Sequence, residues 1–210
     1  MKPYPKMNSK NTALLVIDVV NGCCHKDCED PETGVYFNKI REMVPKMVKF
    51  VDEFRKDVSG QIIFINITPW TKNYLSPNVI ELYDNEPKGS YYSDDGTGFS
   101  EKFYLVNPKK EDIVLTKNTY DAFAIPKLKQ ILKEKNIQYL VTVGVFTDGC
   151  VLATVCGGFQ AGFNFVILKD LIETTDIKKR QELQTYLIGY TFPFLYGKTI
   201  TSKEFLDSWR

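Results

Sequence analysis

An acid, an amine and a thiol each stand just past a buried-strand pattern in this chain, and those three groups are the parts of a nucleophilic site. The thiol is Cys150. It ends the stretch Val143-Gly-Val-Phe-Thr-Asp-Gly-Cys, which reads as a buried strand from Gln138 to Val145 that hands over abruptly to a helix. Tyr139, Leu140, Val141, Val143 and Val145 form a nearly continuous apolar run, the pattern of a strand covered on both faces. Thr147 and Asp148 suit a helix N-cap, Gly149 permits a tight backbone, and Cys150 falls in the first helical turn. There the positive end of the helix dipole would favour the thiolate. The other reading of Cys150 is a small buried hydrophobe with a packing role alone.

The acid is Asp18, which ends the apolar run Thr12-Ala-Leu-Leu-Val-Ile, and the amine is Lys117, which follows the short strand Ile113 to Thr116. Taken singly, they read as a turn residue and a surface lysine. In a parallel sheet, however, the carboxyl ends of the strands lie along one rim, where open α/β sheets place their ligands. Asp18 can then take the thiol proton, the task of histidine in other cysteine hydrolases. Lys117 can hold the carboxylate and stabilise the thiolate by its charge. A single histidine, His25, makes a scheme without histidine the more economical one.

The elements that would position these groups alternate along the chain. Residues 1–11, polar with two prolines, read as a surface arm. After the first strand, residues 21–34 form a loop rich in Cys, Gly, Asp and Glu. Tyr36 to Lys56 has helical spacing, with Ile40, Met43, Val44, Met47, Val48, Val51 and Phe54 on one face. Pro45 either starts the main helix or kinks it. Gln61 to Ile67 is the second strand. Residues 68–108 have little periodicity, many Pro, Gly, Asn and Asp residues and many aromatics. That is the profile of a loop-rich insertion near a site rather than of an idle connection. Pro126 to Glu134 is a helix, Asn164 to Leu168 a fifth strand, Ile177 to Ile188 a helix, Phe192 to Leu195 a sixth strand and Ser202 to Trp209 a closing helix. The alternation predicts one domain over residues 1–210, a three-layer Rossmann-like α/β fold. Its sheet would be mostly parallel, of about six strands, with helices on both faces.

Composition bounds the function. The 210 residues suffice for a full core, and the net charge of +1 points to neither nucleic acid nor an anionic membrane surface. No apolar run approaches the length of a membrane span, and the N-terminus lacks the hydrophobic core of a signal peptide, so a cytoplasmic protein is expected. Five cysteines, three of them clustered at Cys23, Cys24 and Cys28, do not form a disulfide framework.

Three motifs in order resemble one family, the isochorismatase-like cysteine hydrolases, over roughly residues 12–205. They are Leu15-Val-Ile-Asp18-Val-Val-Asn21, Asp112-Ile-Val-Leu-Thr-Lys117-Asn-Thr-Tyr-Asp-Ala-Phe123 and Gly144-Val-Phe-Thr-Asp-Gly-Cys150-Val151. The resemblance puts the family's catalytic aspartate, lysine and cysteine on Asp18, Lys117 and Cys150. It implies a cis peptide between Val145 and Phe146 and an oxyanion hole made by the N–H groups of Phe146 and Cys150. It also implies a C–N hydrolase acting on a small amide, carbamoyl or ureido compound through a Cys150 thioester, and a dimeric or tetrameric assembly. Asn21, Cys23, Trp70, Tyr120 and Phe123 are the expected pocket residues.

The chain departs from the family in places. Nicotinamidases of the family carry an Asp and several His residues as a metal site after the second strand. Here that region reads Asn66-Ile-Thr-Pro-Trp-Thr-Lys-Asn-Tyr74, so neither a metal nor a cofactor is expected. Where many members have Gln two residues after the aspartate, this chain has Val20. Cys23-Cys-His-Lys-Asp-Cys28 lacks the usual two-pair zinc spacing and reads as loop thiols at the pocket mouth. No arginine can be assigned from sequence as a carboxylate anchor. Two other functions fit the same motifs: ether or ester hydrolysis without a cysteine nucleophile, and a non-enzymatic redox or binding module built on the clustered thiols.

Overall fold

A computed structural model describes residues 1–67, 71–85 and 98–210. Six strands form one sheet in the order β3-β2-β1-β4-β5-β6, and every pairing is parallel. They are β1 (Thr12–Ile17), β2 (Gln61–Ile67), β3 (Ile113–Lys117), β4 (Tyr139–Val145), β5 (Asn164–Glu173) and β6 (Gly197–Ile200). The helices are α1 (Asn21–Cys24), α2 (Asn38–Glu53), α3 (Pro77–Asp84), α4 (Pro126–Glu134), α5 (Leu152–Gln160), α6 (Lys178–Tyr186) and α7 (Ser202–Asp207).

The period-2 alternation of each strand divides the core into two layers. Leu14 and Val16 of β1, Ile62 and Phe64 of β2, and Val141, Val143 and Val145 of β4 pack with α2 and α7 on one face. Ala13, Leu15, Ile17, Ile63, Ile65, Leu140 and Ile167 pack with α4 and α5 on the other. With both faces covered, the central strands are apolar throughout, which is why they stand out in the sequence. Among the described residues, no helix is long and apolar enough to cross a membrane.

Several boundaries differ from expectation. Pro45 neither starts α2 nor ends it: the helix begins at Asn38 and passes through. Pro45 faces solvent, where the carbonyl it leaves unpaired can be hydrated, while Met43, Val44 and Met47 hold the buried face. Strand β5 runs five residues past Leu168, to Glu173. Exposed Lys169 and Asp170 interrupt its apolar run, and the register against β4 shifts between Thr142 and Gly144. Phe192–Leu195 is not a strand. It belongs to a π-helical run, Leu187–Tyr196, whose apolar side chains partly face outward, with Tyr190 and Phe194 stacked at 5.3 Å. The sixth strand follows it. The N-terminal arm is not a loose surface segment either: Met7 is buried, and the Tyr4 hydroxyl donates to the Phe165 carbonyl at 3.1 Å. Within the insertion, α3 was not apparent from the sequence, because only Val79 of its eight residues is buried and no apolar face repeats.

Two backbone features shape the carboxyl rim. Asp18 leaves β1 with φ 51°, in the left-handed region, and its N–H donates to Ile65 O at 2.9 Å. Gly144 has φ 126°, and a Cβ there would lie 2.1 Å from the Ile17 carbonyl oxygen. Only glycine lets β4 approach β1 this closely one residue before the strand ends. Gly144→Ala is therefore expected to destabilise the protein by about 3 kcal/mol or more, read as a lowered urea midpoint in equilibrium unfolding.

Candidate active site

Asp18, Lys117 and Cys150 come from the carboxyl ends of β1 and β3 and from the turn after β4, and the fold brings them into contact. Lys117 Nζ lies 2.7 Å from Asp18 Oδ2 and donates to Cys150 Sγ at 3.2 Å and to the Thr119 carbonyl at 3.0 Å. The ammonium thus faces a carboxylate, a thiol and a backbone oxygen at once. All three side chains are buried: Asp18 is 1% exposed, Lys117 2% and Cys150 5%. The Lys117–Asp18 contact is an ion pair of close approach, and the Asp18 carboxylate also lies within hydrogen-bonding reach of the Cys150 thiol.

Burial and mutual charge set the protonation states. Burial raises the Asp18 pKa, and Lys117 limits the rise. Burial works against the Lys117 charge, but Asp18 and the thiol outweigh it and hold the amine above the usual lysine range. Burial, and then the Asp18 charge, push the Cys150 thiol far up, with Lys117 opposing. Burial thus favours the protonated thiol, while the mutual attraction of Lys117 and Asp18 favours ammonium beside carboxylate. This corrects the expectation of a dipole-favoured thiolate: a thiol sealed beside a carboxylate keeps its proton, and the short turn before α5 does not overcome that.

The turn itself, Thr147–Val151, is a single π-type turn in which Gly149 has non-helical φ/ψ of −124°/−108°. Phe146 O accepts from Gly149 N at 3.0 Å and from Val151 N at 3.1 Å. The Val145–Phe146 peptide is cis. Among the described residues, the Phe146 N–H meets no acceptor. Neither Thr147 nor Asp148 caps the helix with its side chain. Asp148 instead turns outward to Arg180, and Thr147 Oγ1 is buried without a partner.

The expected pocket residues divide. Cys23 lies beside the triad, and its thiol is raised by burial and then by the charges of Asp18, Cys24 and Cys150. Asn21 is buried and tethers the returning insertion: its Nδ2 donates to Phe99 O at 3.1 Å and its backbone N–H to Lys102 O at 2.8 Å. The Tyr120 hydroxyl pairs with that of Tyr83 in α3 at 2.6 Å. The half-buried Phe123 ring packs against Phe163 and over Gly158, against the α5 layer. Trp70 lies outside the described residues. His25 caps the short turn Lys26–Cys28 through Nδ1 and sets its ring edge against Phe99 and Tyr104, a structural role. A cleft of about 270 Å³ opens beside the rim, lined by Tyr74, Thr116, Lys117, Asn118, Ala124, Ile125 and Pro126. All four arginines face carboxylates: Arg41 with Glu29, Arg55 with Asp112, Arg180 with Asp148, and Arg210 with Asp57.

Residues 12–192 match the family described as Isochorismatase domain. YwoC, an uncharacterised isochorismatase family protein of Bacillus subtilis, is 25% identical over 198 residues, which cover 94% of this chain and 94% of that protein. Ureidoacrylate amidohydrolase RutB of Enterobacter sp. is 30% identical over 142 residues, covering 67% of this chain and 60% of that protein. The fold is similar to that of N-carbamoylsarcosine amidase from Thermoplasma acidophilum, with a TM-score of 0.67 at 21% identity over 93% of this chain and 97% of that one.

Removing one partner of a buried ion pair strands the other charge. Lys117→Met should destabilise the protein by about 3–5 kcal/mol at neutral pH. Burial holds the folded-state pKa of Asp18 above its unfolded value, so ionising Asp18 costs stability as pH rises through that window, and more so without Lys117. The loss should therefore shrink as pH falls and Asp18 takes up a proton, and Asp18→Asn should restore part of the stability of the Lys117→Met protein. Urea unfolding of the three variants at two pH values checks both effects.

Proposed function

The chain belongs to the isochorismatase family of hydrolases, and on that footing we propose that it is a cysteine amidohydrolase cleaving a C–N bond of a small amide, carbamoyl or ureido compound. The observation that carries the reading is the single buried ammonium of Lys117 bridging the Asp18 carboxylate and the Cys150 thiol. Two of the similar proteins support it by name, an amidohydrolase of ureidoacrylate and an amidase of N-carbamoylsarcosine. A buried thiol held against a general base has no use in ether hydrolysis, which favours the amide.

The chemistry runs in two halves. Asp18 takes the Cys150 proton as the sulfur attacks the carbonyl carbon; a C–S bond forms and the carbonyl electrons move to oxygen. Phe146 and Cys150 N–H groups would face that oxyanion, and the unoccupied Phe146 N–H supports the assignment. As the tetrahedral adduct collapses, the C–N bond breaks and the leaving nitrogen takes the proton from Asp18. Water then attacks the thioester, Asp18 removes its proton, and the C–S bond breaks to release the acid. The proton returns from Asp18 to sulfur. The Cys150 thiol lies within hydrogen-bonding reach of the Asp18 carboxylate, which suits this shuttling. With all four guanidiniums engaged by carboxylates, the reading favours a substrate held through its reacting amide rather than through an anionic tail.

Incubation with a panel of small amides and ureides should release ammonia or amine. Cys150→Ala should lose at least ~10³-fold of that rate, and intact-protein mass spectrometry should show an acyl adduct on the wild type alone. Equal turnover by Cys150→Ala would overturn the reading. Activity requires one proton shared between Asp18 and Cys150, so kcat/KM should be bell-shaped in pH. Its acid limb should lie above the ordinary carboxylate range, because Asp18 is raised, and its alkaline limb above the ordinary thiol range, because Cys150 is raised.

A further inference from the structure

The turn that carries Cys150 is held from outside. Phe146 O accepts from the Gly149 and Val151 N–H groups and the Leu152 N–H reaches Gly149 O and Thr147 O, but Gly149 departs from helical geometry, so the turn is not a regular helix that alone would fix where the sulfur points. Asp148, two residues before the thiol, supplies an external tether. Arg180 Nε donates to Asp148 Oδ2 at 2.7 Å and Nη2 donates to Oδ1 at 2.7 Å, a two-pronged fork. The Thr174 hydroxyl adds a third bond, to Oδ1 at 2.6 Å, and Arg180 Nη1 donates to Thr175 Oγ1 at 3.3 Å. The same guanidinium sits 4.9 Å over the ring of Phe146, which also stacks on Phe37 at 6.0 Å. One side chain from the first turn of α6 therefore touches both the start and the middle of the stretch between the cis peptide and the nucleophile.

Arg180 is itself well founded. Glu173, at the end of β5, accepts from the Thr174 N–H and from the side-chain amides of Gln181 and Gln184, which fastens α6 to the sheet. Asp148 is burdened by burial, yet hydrogen bonds from Arg180 and Thr174 hold it below the usual carboxylate range, so the fork stays charged on both sides at working pH. A fork of this kind fixes orientation as well as distance, which a single ammonium contact does not.

We infer that Asp148 and Arg180 are positioning residues for the nucleophile: their fork sets the Phe146–Cys150 turn so that the sulfur meets Lys117 and the Phe146 N–H faces the reacting carbonyl. The part concerning the carbonyl rests on the amidohydrolase reading. The part concerning the sulfur does not, and it can be read without any substrate.

The test uses the full-length protein with Arg180→Met, Arg180→Lys and Thr174→Val, and three readouts: Cys150 alkylation by iodoacetamide at one fixed pH with adducts located by peptide mapping, kcat and KM on an amide, and thermal unfolding. Displacing a reacting group by about 1 Å costs on the order of 10²-fold. Arg180→Met should accordingly change the Cys150 alkylation rate several-fold and lower kcat by ~10²-fold with KM within about 3-fold. Arg180→Lys should recover little, because a point charge cannot make the fork, whereas added guanidinium ion should partly restore the alkylation rate of Arg180→Met. Thr174→Val, which keeps the fork and folds without a buried charge left over, should show a smaller change of the same sign. A fall in melting temperature with alkylation and kcat unchanged would overturn the inference and leave only a structural tie. If the wild type turns over no amide, the amidohydrolase reading fails, and the alkylation series still decides the role of the fork.

Discussion

The carboxyl rim of this sheet depends on a buried ion pair that no single stretch of chain could make. Lys117 and Asp18 are 2.7 Å apart at the ends of two strands that do not touch, with β2 between them. Neither charge would be tolerated alone at that depth. Together they are, and the pair is set against Cys150: the carboxylate lies within hydrogen-bonding reach of the thiol, and the ammonium donates to its sulfur. The apolar layers on both faces of the sheet supply the stability that lets such a pair exist, each fully buried aliphatic side chain contributing about 1.5–3 kcal/mol.

The rest of the site is arranged to keep this geometry from drifting. Asp18 turns out of β1 through a left-handed residue, and Gly144 lets β4 close on β1 just before the turn. The Thr119 carbonyl accepts from the ammonium. The Asp148–Arg180 fork ties the same turn to α6. The returning insertion is laced to α1 through Asn21 and Gly22, so the wall beside Cys23 is built from chain segments nearly eighty residues apart.

Much of this was legible in the sequence, for physical reasons. Strands covered on both faces write themselves as apolar runs, so β1, β2 and β4 could be read to within a residue, and the groups just past them were marked by position. Side chains whose task is to meet a distant partner were not legible. Asp148 looks like a helix cap because a cap and a tether need the same residue type, and only the fold brings Arg180 to it. Phe123 looks like a pocket aromatic, and its packing on Phe163 and Gly158 is visible only once the fold sets α5 beside it. Phe192–Leu195 looks like a strand because four apolar and aromatic residues in a row carry no period, and here they continue a helix with an outward apolar side. The thiol's protonation state was also beyond sequence, since burial rather than the helix terminus decides it.

The burial of the thiols has a consequence for the chain's chemical lifetime. In the folded protein Cys23, Cys24 and Cys150 all hold their protons far more firmly than a free thiol does. In the unfolded chain each returns to an ordinary pKa of about 8.5 and to open solvent. Oxidants therefore select among molecules by folding state. In the native protein buried Cys24 and Cys150 are shielded, and damage at them accumulates in chains caught before β1 and β4 have paired or after they have come apart. For Cys24 and Cys150, completion of the sheet therefore acts as an antioxidant step, and it is oxidation at these two positions, not at half-buried Cys28 and Cys156, that would track how often the rim opens.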